Sequence, residues 1–194
     1  MKKGAATRSL ETIACLGWGS LIWDPRHLPI RNGWFQDGPL LSVEFTRLSN
    51  NGRLTLVLDE HGTTVRCLWA LMRCIDLAAA KEALRAREGC SAGDIGFWQQ
   101  GERAPARIGD LPGWARSRGI GTVIWTALPH RFDFQGESKP RPTMEDAVSY
   151  LKHLVKENGS TADLAQTYIR MAPKQIDTEY RRAFEKELGW TPYQ

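Results

Sequence analysis

The stretch LGWGSLIWDP, residues 16–25, follows an apolar run and decides how the rest of the chain is interpreted. It places two glycines, a serine and two tryptophans at the exit from the first predicted strand. A Gly-x-Gly-Ser turn at this place lets the backbone come close to a ligand, because glycine has no side chain and tolerates positive φ. Its successive N–H groups can surround a carboxylate or a phosphate, and the Ser20 hydroxyl adds a donor. The alternative interpretation is a tight structural turn between core tryptophans.

Length and composition predict one compact domain over residues 1–194. The chain has 42% apolar and 25% charged residues, enough to bury a core. No apolar run of about 18 residues occurs, and no apolar signal core follows the basic start MKKGAATRSLE. We therefore expect a cytoplasmic protein with no membrane partner. The four cysteines form no C-x-x-C pair and the four histidines are scattered, so neither a disulfide framework nor a metal site is expected.

The net charge of +4 is compatible with several kinds of ligand. Basic and acidic residues are interspersed, which fits a mild preference for an anionic small molecule. Nucleic-acid binding is not expected. It would require the arginines of residues 101–119 to converge with other basic groups, and that stretch is ordinarily a solvated loop.

The chain up to residue 128 has mainly strand-like patterns, which define five predicted strands. These strands cover residues 12–16, 41–48, 53–59, 64–72 and 121–128. Turn sequences at Asn50-Asn51-Gly52 and at residues 59–62 join the second, third and fourth of them, which predicts an antiparallel meander. One helix interrupts the series at residues 77–87 and stops at Gly89.

The remaining third of the chain is predicted to be helical. Residues 130–142 contain two prolines and are interpreted as a surface loop. Thr143 then opens a helix that Gly159 ends, Ser160 caps a second one that reaches Met171, and a third covers about residues 175–188 before Gly189. We expect residues 143–190 to cover the sheet rather than to form a second domain.

Three segments together resemble the γ-glutamylcyclotransferase-like superfamily. GWGSLIWDP is similar to its GYGSL signature and is closest to the ChaC, glutathione-specific branch. VEFTR, at residues 43–47, is similar to the arginine-bearing strand that follows the signature in that branch. LRAREGC, at residues 84–90, resembles the element that carries the catalytic glutamate after a helix. The resemblance covers residues 12–128 and implies an α+β fold, a small mixed β-barrel with flanking helices, to which the C-terminal helices are an extension.

The chemistry that this resemblance implies is the intramolecular cyclisation of a γ-glutamyl group to 5-oxoproline, with release of an amine or a peptide. One carboxylate can perform both proton transfers where burial raises its pKa, and no metal or organic cofactor is required. The resemblance assigns the catalytic role to Glu88, for which the alternative is a solvated carboxylate at a helix C-terminus. The substrate-binding residues that it implies are Trp18, Gly19, Ser20, Leu21 and Arg47.

Arg47 has two possible roles, and Trp18 departs from the family pattern, and both points bear on the substrate. Arg47 could pair with a substrate carboxylate or face solvent from its strand. Trp18 stands where the family has tyrosine and lacks its hydroxyl, and EGC at residues 88–90 is shorter than the ending of the glutathione-specific enzymes. The substrates that the resemblance implies therefore include glutathione, another γ-glutamyl peptide, a γ-glutamyl amine and a protein-linked γ-glutamyl group. Cys90 is not expected to be a nucleophile, because no histidine lies near it in the sequence.

The sequence thus predicts a γ-glutamylcyclotransferase-like enzyme that acts on a small γ-glutamyl molecule as a monomer or a homodimer. The alternative from another class is a non-catalytic module of the same fold that captures a γ-glutamyl or other carboxylate ligand. A basic protein associated with nucleic acid is a third and weaker interpretation.

Overall fold

The computed structural model describes residues 12–74 and 76–193, so the basic start at residues 1–11 lies outside the described part of the chain. Its strands are β1 (Ile13–Gly17), β2 (Ile30–Phe35), β3 (Leu40–Leu48), β4 (Leu54–Leu58), β5 (Thr63–Arg66), β6 (Leu68–Met72), β7 (Ile95–Gln99), β8 (Thr122–Thr126), β9 (Phe132–Phe134) and β10 (Glu137–Lys139). Its helices are α1 (Leu77–Glu88), α2 (Leu111–Arg116), α3 (Met144–Glu157), α4 (Ser160–Met171) and α5 (Glu179–Leu188).

The larger sheet has five strands in the order β2-β6-β1-β8-β7. β1 lies in its centre, antiparallel to β6 and parallel to β8, and all five of its residues are buried. Ile13 and Cys15 belong to the core cluster that also contains Ala80 and Leu84 of α1. The alternate side chains of β1 belong to the other core, so both faces of the sheet are covered. Because β1 and β8 are parallel, their carboxyl ends meet at one edge of the sheet.

The three-stranded sheet, called the smaller sheet below, has the order β4-β3-β5. The predicted meander, in which β4 would lie between β3 and β5, is therefore wrong. β3 lies in the middle, and Val43 is the partner of both Leu58 in β4 and Thr63 in β5. The connection between β4 and β5 therefore crosses β3. Gly62 permits this crossing, because a Cβ there would lie 2.6 Å from the Val43 carbonyl oxygen.

The predicted strand 64–72 is also divided between the two sheets. β5 ends at Arg66 and β6 begins at Leu68, with Cys67 between them. The Cys67 N–H donates to Pro39 and its carbonyl accepts from Gly38, so the chain changes sheet at this residue. β5 is partly exposed and β6 is mostly buried, but both halves consist of β-formers, so propensity alone gives no signal for the break.

The C-terminal helices pack on the smaller sheet and on each other. The Phe184 ring of α5 contacts the Phe45 ring of β3 edge to face, with centroids 5.5 Å apart. Thr143 caps α3 as predicted, but Asn158 takes the left-handed conformation at its end, and Gly159 rather than Ser160 is the N-cap of α4. The last helix begins at Glu179, later than predicted.

The region that was interpreted as a loop, residues 130–142, contains the β9–β10 hairpin. Gln135 and Gly136 both have positive φ at its turn, which is the conformation that a tight hairpin requires. The mixed α+β class is confirmed. The described strands form three separate sheets, and no closed barrel is found among them.

Candidate functional site

A cavity of about 320 Å³ opens at the carboxyl ends of β1 and β8. Its walls come from the turn after β1, the end of α1, the β3–β4 hairpin and α4. All six predicted site residues line it, although Glu88 and the turn lie about seventy positions apart in sequence. The fold therefore brings together the residues that the sequence analysis singled out, within a volume suited to a small molecule.

The turn after β1 presents backbone donors to this cavity. It is closed by hydrogen bonds from the Ile22 N–H to the Gly19 carbonyl and from the Asp24 N–H to the Ser20 carbonyl, at 3.0 and 2.9 Å. In the described part of the chain, no residue accepts a hydrogen bond from the N–H groups of Gly19, Ser20 and Leu21. Three consecutive free N–H groups at a cavity wall can hold a carboxylate oxygen.

The two glycines of the turn serve close packing rather than unusual backbone angles. Neither has positive φ. A Cβ at Gly17 would lie 2.7 Å from Ile22 and 2.8 Å from Trp34, and a Cβ at Gly19 would lie 2.6 Å from the Tyr168 hydroxyl oxygen. The tolerance of positive φ that glycine offers is therefore not used in this turn, and the role of the two glycines is to admit neighbouring side chains.

The side chains of the turn have separate roles. Trp18 is 5% exposed and its indole N–H donates to the Leu56 carbonyl at 3.4 Å, so it packs in the core. Leu21 is also buried, in the core beneath α1. The Ser20 hydroxyl accepts from Arg87 at 3.1 Å and keeps its own proton for a ligand.

Glu88 ends α1 beside this turn, with Gly89 in the left-handed conformation after it. Its Oε1 lies 3.0 Å from Nη1 of Arg87 and accepts from the Thr126 hydroxyl at 3.3 Å. The side chain is 15% exposed, which leaves one side of the carboxylate toward the cavity. The interpretation of Glu88 as a solvated surface carboxylate is therefore wrong.

Arg87 connects Glu88 to the turn, and sequence reasoning missed it. Its side chain is 5% exposed. Besides the ion pair with Glu88, its guanidinium donates to the Ser20 hydroxyl and twice to the Asp24 carbonyl, from Nε at 3.2 Å and from Nη2 at 2.6 Å. The only sequence signal is its position before Glu88 on the buried face of α1.

Two further arginines line the opposite wall from the β3–β4 hairpin. Arg47 donates to the Pro129 carbonyl at 2.7 Å, and burial with the nearby Arg131 lowers the pKa of its guanidinium. Arg53 donates to the Asn51 amide oxygen at 3.0 Å. Neither forms an ion pair with a described residue. Arg47 thus faces the cavity with hydrogen-bonding capacity left, and Arg53 is a site residue that the sequence analysis did not identify.

Cys90 also lines the cavity, next to Glu88 and Asp94. Burial raises the pKa of its thiol, and the charges of Asp94 and Glu88 raise it further. A thiol with a raised pKa is a poor nucleophile, in agreement with the sequence-based expectation. All four cysteines are free thiols.

A larger groove of about 1500 Å³ lies between α1 and β7. Glu82 and Arg85 on its wall pair with each other at 2.7 Å and are well exposed. The acidic side chains on its wall, Asp76, Glu82 and Glu102, are exposed, whereas the smaller cavity contains the mostly buried Glu88, so the smaller cavity is the candidate site.

No protein-family model matches this chain, and no curated protein is significantly similar to it. Within residues 12–74 and 76–193, no helix is long and apolar enough to cross a bilayer. The same residues contain no group of three or more histidine, cysteine, aspartate or glutamate side chains that could hold a metal ion.

Proposed function

We propose that the chain is a γ-glutamylcyclotransferase-like enzyme that converts a γ-glutamyl peptide or amine to 5-oxoproline and the free amine. The observation that carries this proposal is the placement of Glu88 in one small cavity with the free N–H groups of the turn. We also propose that its fold is related to the γ-glutamylcyclotransferase-like superfamily, on the residues of the turn and of the end of α1.

The proposed reaction needs a proton acceptor, a carboxylate site and exclusion of water. The α-amine of the substrate forms a bond to its own γ-carbonyl carbon, and the bond from that carbon to the leaving nitrogen breaks. The ammonium nitrogen loses two protons and the leaving nitrogen gains two, so no water is consumed. Glu88 would carry these protons, and general acid-base catalysis of this kind contributes about 10² to 10⁴-fold.

The turn and the arginines would position the substrate. Free N–H groups of Gly19, Ser20 and Leu21 suit the α-carboxylate, and Arg47 and Arg53 suit negative charge elsewhere in the molecule. Holding the amine against the γ-carbonyl is an effect of orientation, which can lower a barrier by several kcal/mol. These contacts require no cofactor.

The test measures 5-oxoproline release from glutathione, γ-glutamyl-alanine and ε-(γ-glutamyl)-lysine. Wild type should release it from at least one of them, and Glu88→Gln should reduce kcat by about 10² to 10⁴-fold while still binding that substrate. Glu82→Gln is the matched control, since Glu82 lies on the same helix but is 63% exposed and pairs with Arg85. Full activity of Glu88→Gln would remove Glu88 from the mechanism.

One contact favours the alternative, a module that captures a carboxylate ligand without turnover. Arg87 already occupies one oxygen of Glu88. Binding of panel members by wild type, measured by calorimetry, with no release of 5-oxoproline from any of them would support this second function.

A further inference from the structure

Tyr168 of α4 belongs to the cavity although it lies outside the segment that resembles a known family. It is 6% exposed and stands on the wall between the turn and β4. Its hydroxyl oxygen accepts from the Leu56 N–H at 3.4 Å. The same oxygen is the atom nearest to the place that a Cβ would take at Gly19, 2.6 Å away. The phenol is therefore held directly against the turn.

The surroundings of the ring fix its position. Trp23 contacts it edge to face with centroids 5.4 Å apart, and Phe45 does so from the sheet at 6.4 Å. The Arg53 guanidinium carbon lies 5.6 Å from the ring centroid. Because contacts on three sides already restrict the ring, little further side-chain entropy is lost when its hydroxyl contacts a ligand.

The hydroxyl is a donor with its proton still available. Its one hydrogen bond within the described chain uses the oxygen as acceptor, and no described residue accepts the O–H proton. Burial raises the pKa of Tyr168 to about 12, and the charge of Glu88 also raises it. The group therefore stays protonated at neutral pH and donates a hydrogen bond without giving up its proton.

We propose that the Tyr168 hydroxyl donates a hydrogen bond to the γ-carbonyl oxygen of the substrate as that oxygen becomes an oxyanion. This inference rests on the proposed function. During cyclisation, the γ-carbonyl oxygen gains negative charge while the carbon is tetrahedral and loses it when the leaving nitrogen departs. Glu88 must reach both nitrogens bonded to that carbon, so the oxygen points away from Glu88 and needs a donor from another wall of the cavity, which Tyr168 also lines. The Tyr168 hydroxyl is a buried donor of that kind.

The assignment differs from a purely structural role in what it predicts for the kinetics. An oxyanion donor acts in the transition state, so its removal lowers kcat and leaves substrate affinity unchanged. A packing or ground-state binding role would change KM or the folding transition instead. The hydroxyl of Tyr180 is a matched comparison, because it donates to the Pro142 carbonyl at 3.0 Å and does not line the cavity.

The experiment uses the panel member that the wild type converts fastest. Tyr168→Phe should lower kcat about 10²-fold with KM unchanged, whereas Tyr180→Phe should keep the wild-type kcat. Calorimetric affinity for the same substrate should be equal in Glu88→Gln and in Glu88→Gln combined with Tyr168→Phe. A rise in KM with kcat unchanged, or no change in either, would overturn the assignment.

A second series of variants tests the same role of Tyr168 and does not require the Tyr168→Phe variant to fold. Replacing Tyr168 with 3-fluorotyrosine and 3,5-difluorotyrosine keeps the hydroxyl and makes it progressively more acidic. kcat should change in step with that acidity, and a rate independent of it would overturn the assignment. Absence of 5-oxoproline release by the wild type would overturn the proposed function itself, whereas equal release by wild type and Tyr168→Phe would overturn this inference alone.

Discussion

The carboxylates of two glutamates in this chain, Glu44 and Glu88, have different kinds of partners. Glu44 in the middle of β3 is 1% exposed, and its carboxylate accepts from the Phe45 N–H at 3.0 Å, the Thr63 hydroxyl at 3.0 Å and the Tyr180 N–H at 3.5 Å. Glu88 has a guanidinium partner, Arg87, and one side toward the cavity. The first carboxylate is surrounded by neutral donors and the second is held by a charge.

The difference shows how a buried acid is used. The donors around Glu44 come from β3, β5 and the first turn of α5, so the carboxylate joins the sheet to a C-terminal helix. Burial nevertheless raises its pKa, because neutral donors offset only part of the cost of taking a charge out of water. At Glu88 the arginine holds one oxygen and the other side stays accessible. We infer that Glu44 is structural and that Glu88 is available to a ligand.

The largest expected effect comes from removing the charged partner of Glu88. Arg87→Met should destabilise the fold by about 3 to 5 kcal/mol, because it leaves the carboxylate without its cation and removes the hydrogen bonds to the turn. The measurement is chemical denaturation. Arg85→Met is the control, since the pair of Arg85 with Glu82 is exposed and its loss should change the stability much less than the loss of Arg87.

A double variant tests directly whether the ion pair between Arg87 and Glu88 holds the carboxylate. Arg87→Met combined with Glu88→Gln should be less destabilised than the sum of the two single changes, because the glutamine leaves no unpaired charge behind. Strict additivity would mean that the ion pair does not hold Glu88, and the contrast between the two glutamates would be lost.

Local sequence patterns were sufficient to predict the residues of one wall of the cavity and insufficient to predict those of the other. The turn after β1 and the end of α1 have short-range signals, namely two closely spaced glycines and a helix that stops at Gly89. Tyr168 contacts Leu56 across 112 positions, and nothing in the sequence around either residue indicates this pairing. A contact of that kind depends on how the helices pack on the sheet, which propensity and periodicity do not specify.

Two errors in the predicted fold have similar causes. β2 was missed because Asn32 and Gly33 have positive φ within it, a dipeptide that ordinarily marks a turn. The meander was expected because short turns usually join neighbouring strands, whereas Gly62 allows this connection to cross over β3. In both cases a local turn signal is present, and only the tertiary structure determines whether the chain turns back, continues as a strand or crosses to another one.

A smaller effect on stability is expected from changing Glu44, whose hydrogen-bond partners are all neutral donors. Glu44→Gln should destabilise the fold by about 1 to 3 kcal/mol, because one carboxylate oxygen becomes an NH₂ group and the donors that faced it lose their acceptor. Denaturation of this variant should be compared with Glu60→Gln, whose side chain is 64% exposed and whose change should stay within about 0.5 kcal/mol. Equal stability of the two variants would show that Glu44 does not join β3 to α5.

The smallest effect is the pH dependence of stability that the raised pKa of Glu44 should contribute. Because the pKa of Glu44 is above its ordinary value of 4.5 in the folded chain, the folded state holds this proton at pH values where the unfolded state has released it. The free energy of unfolding contributed by this group is therefore fully present below pH 4.5 and decreases as the pH rises through the folded-state pKa. Wild type should lose stability relative to Glu44→Gln over that range in denaturation series at fixed ionic strength. If the difference between the two proteins instead increased with pH, the Glu44 carboxylate would be stabilised in its charged form, and burial would not dominate its pKa.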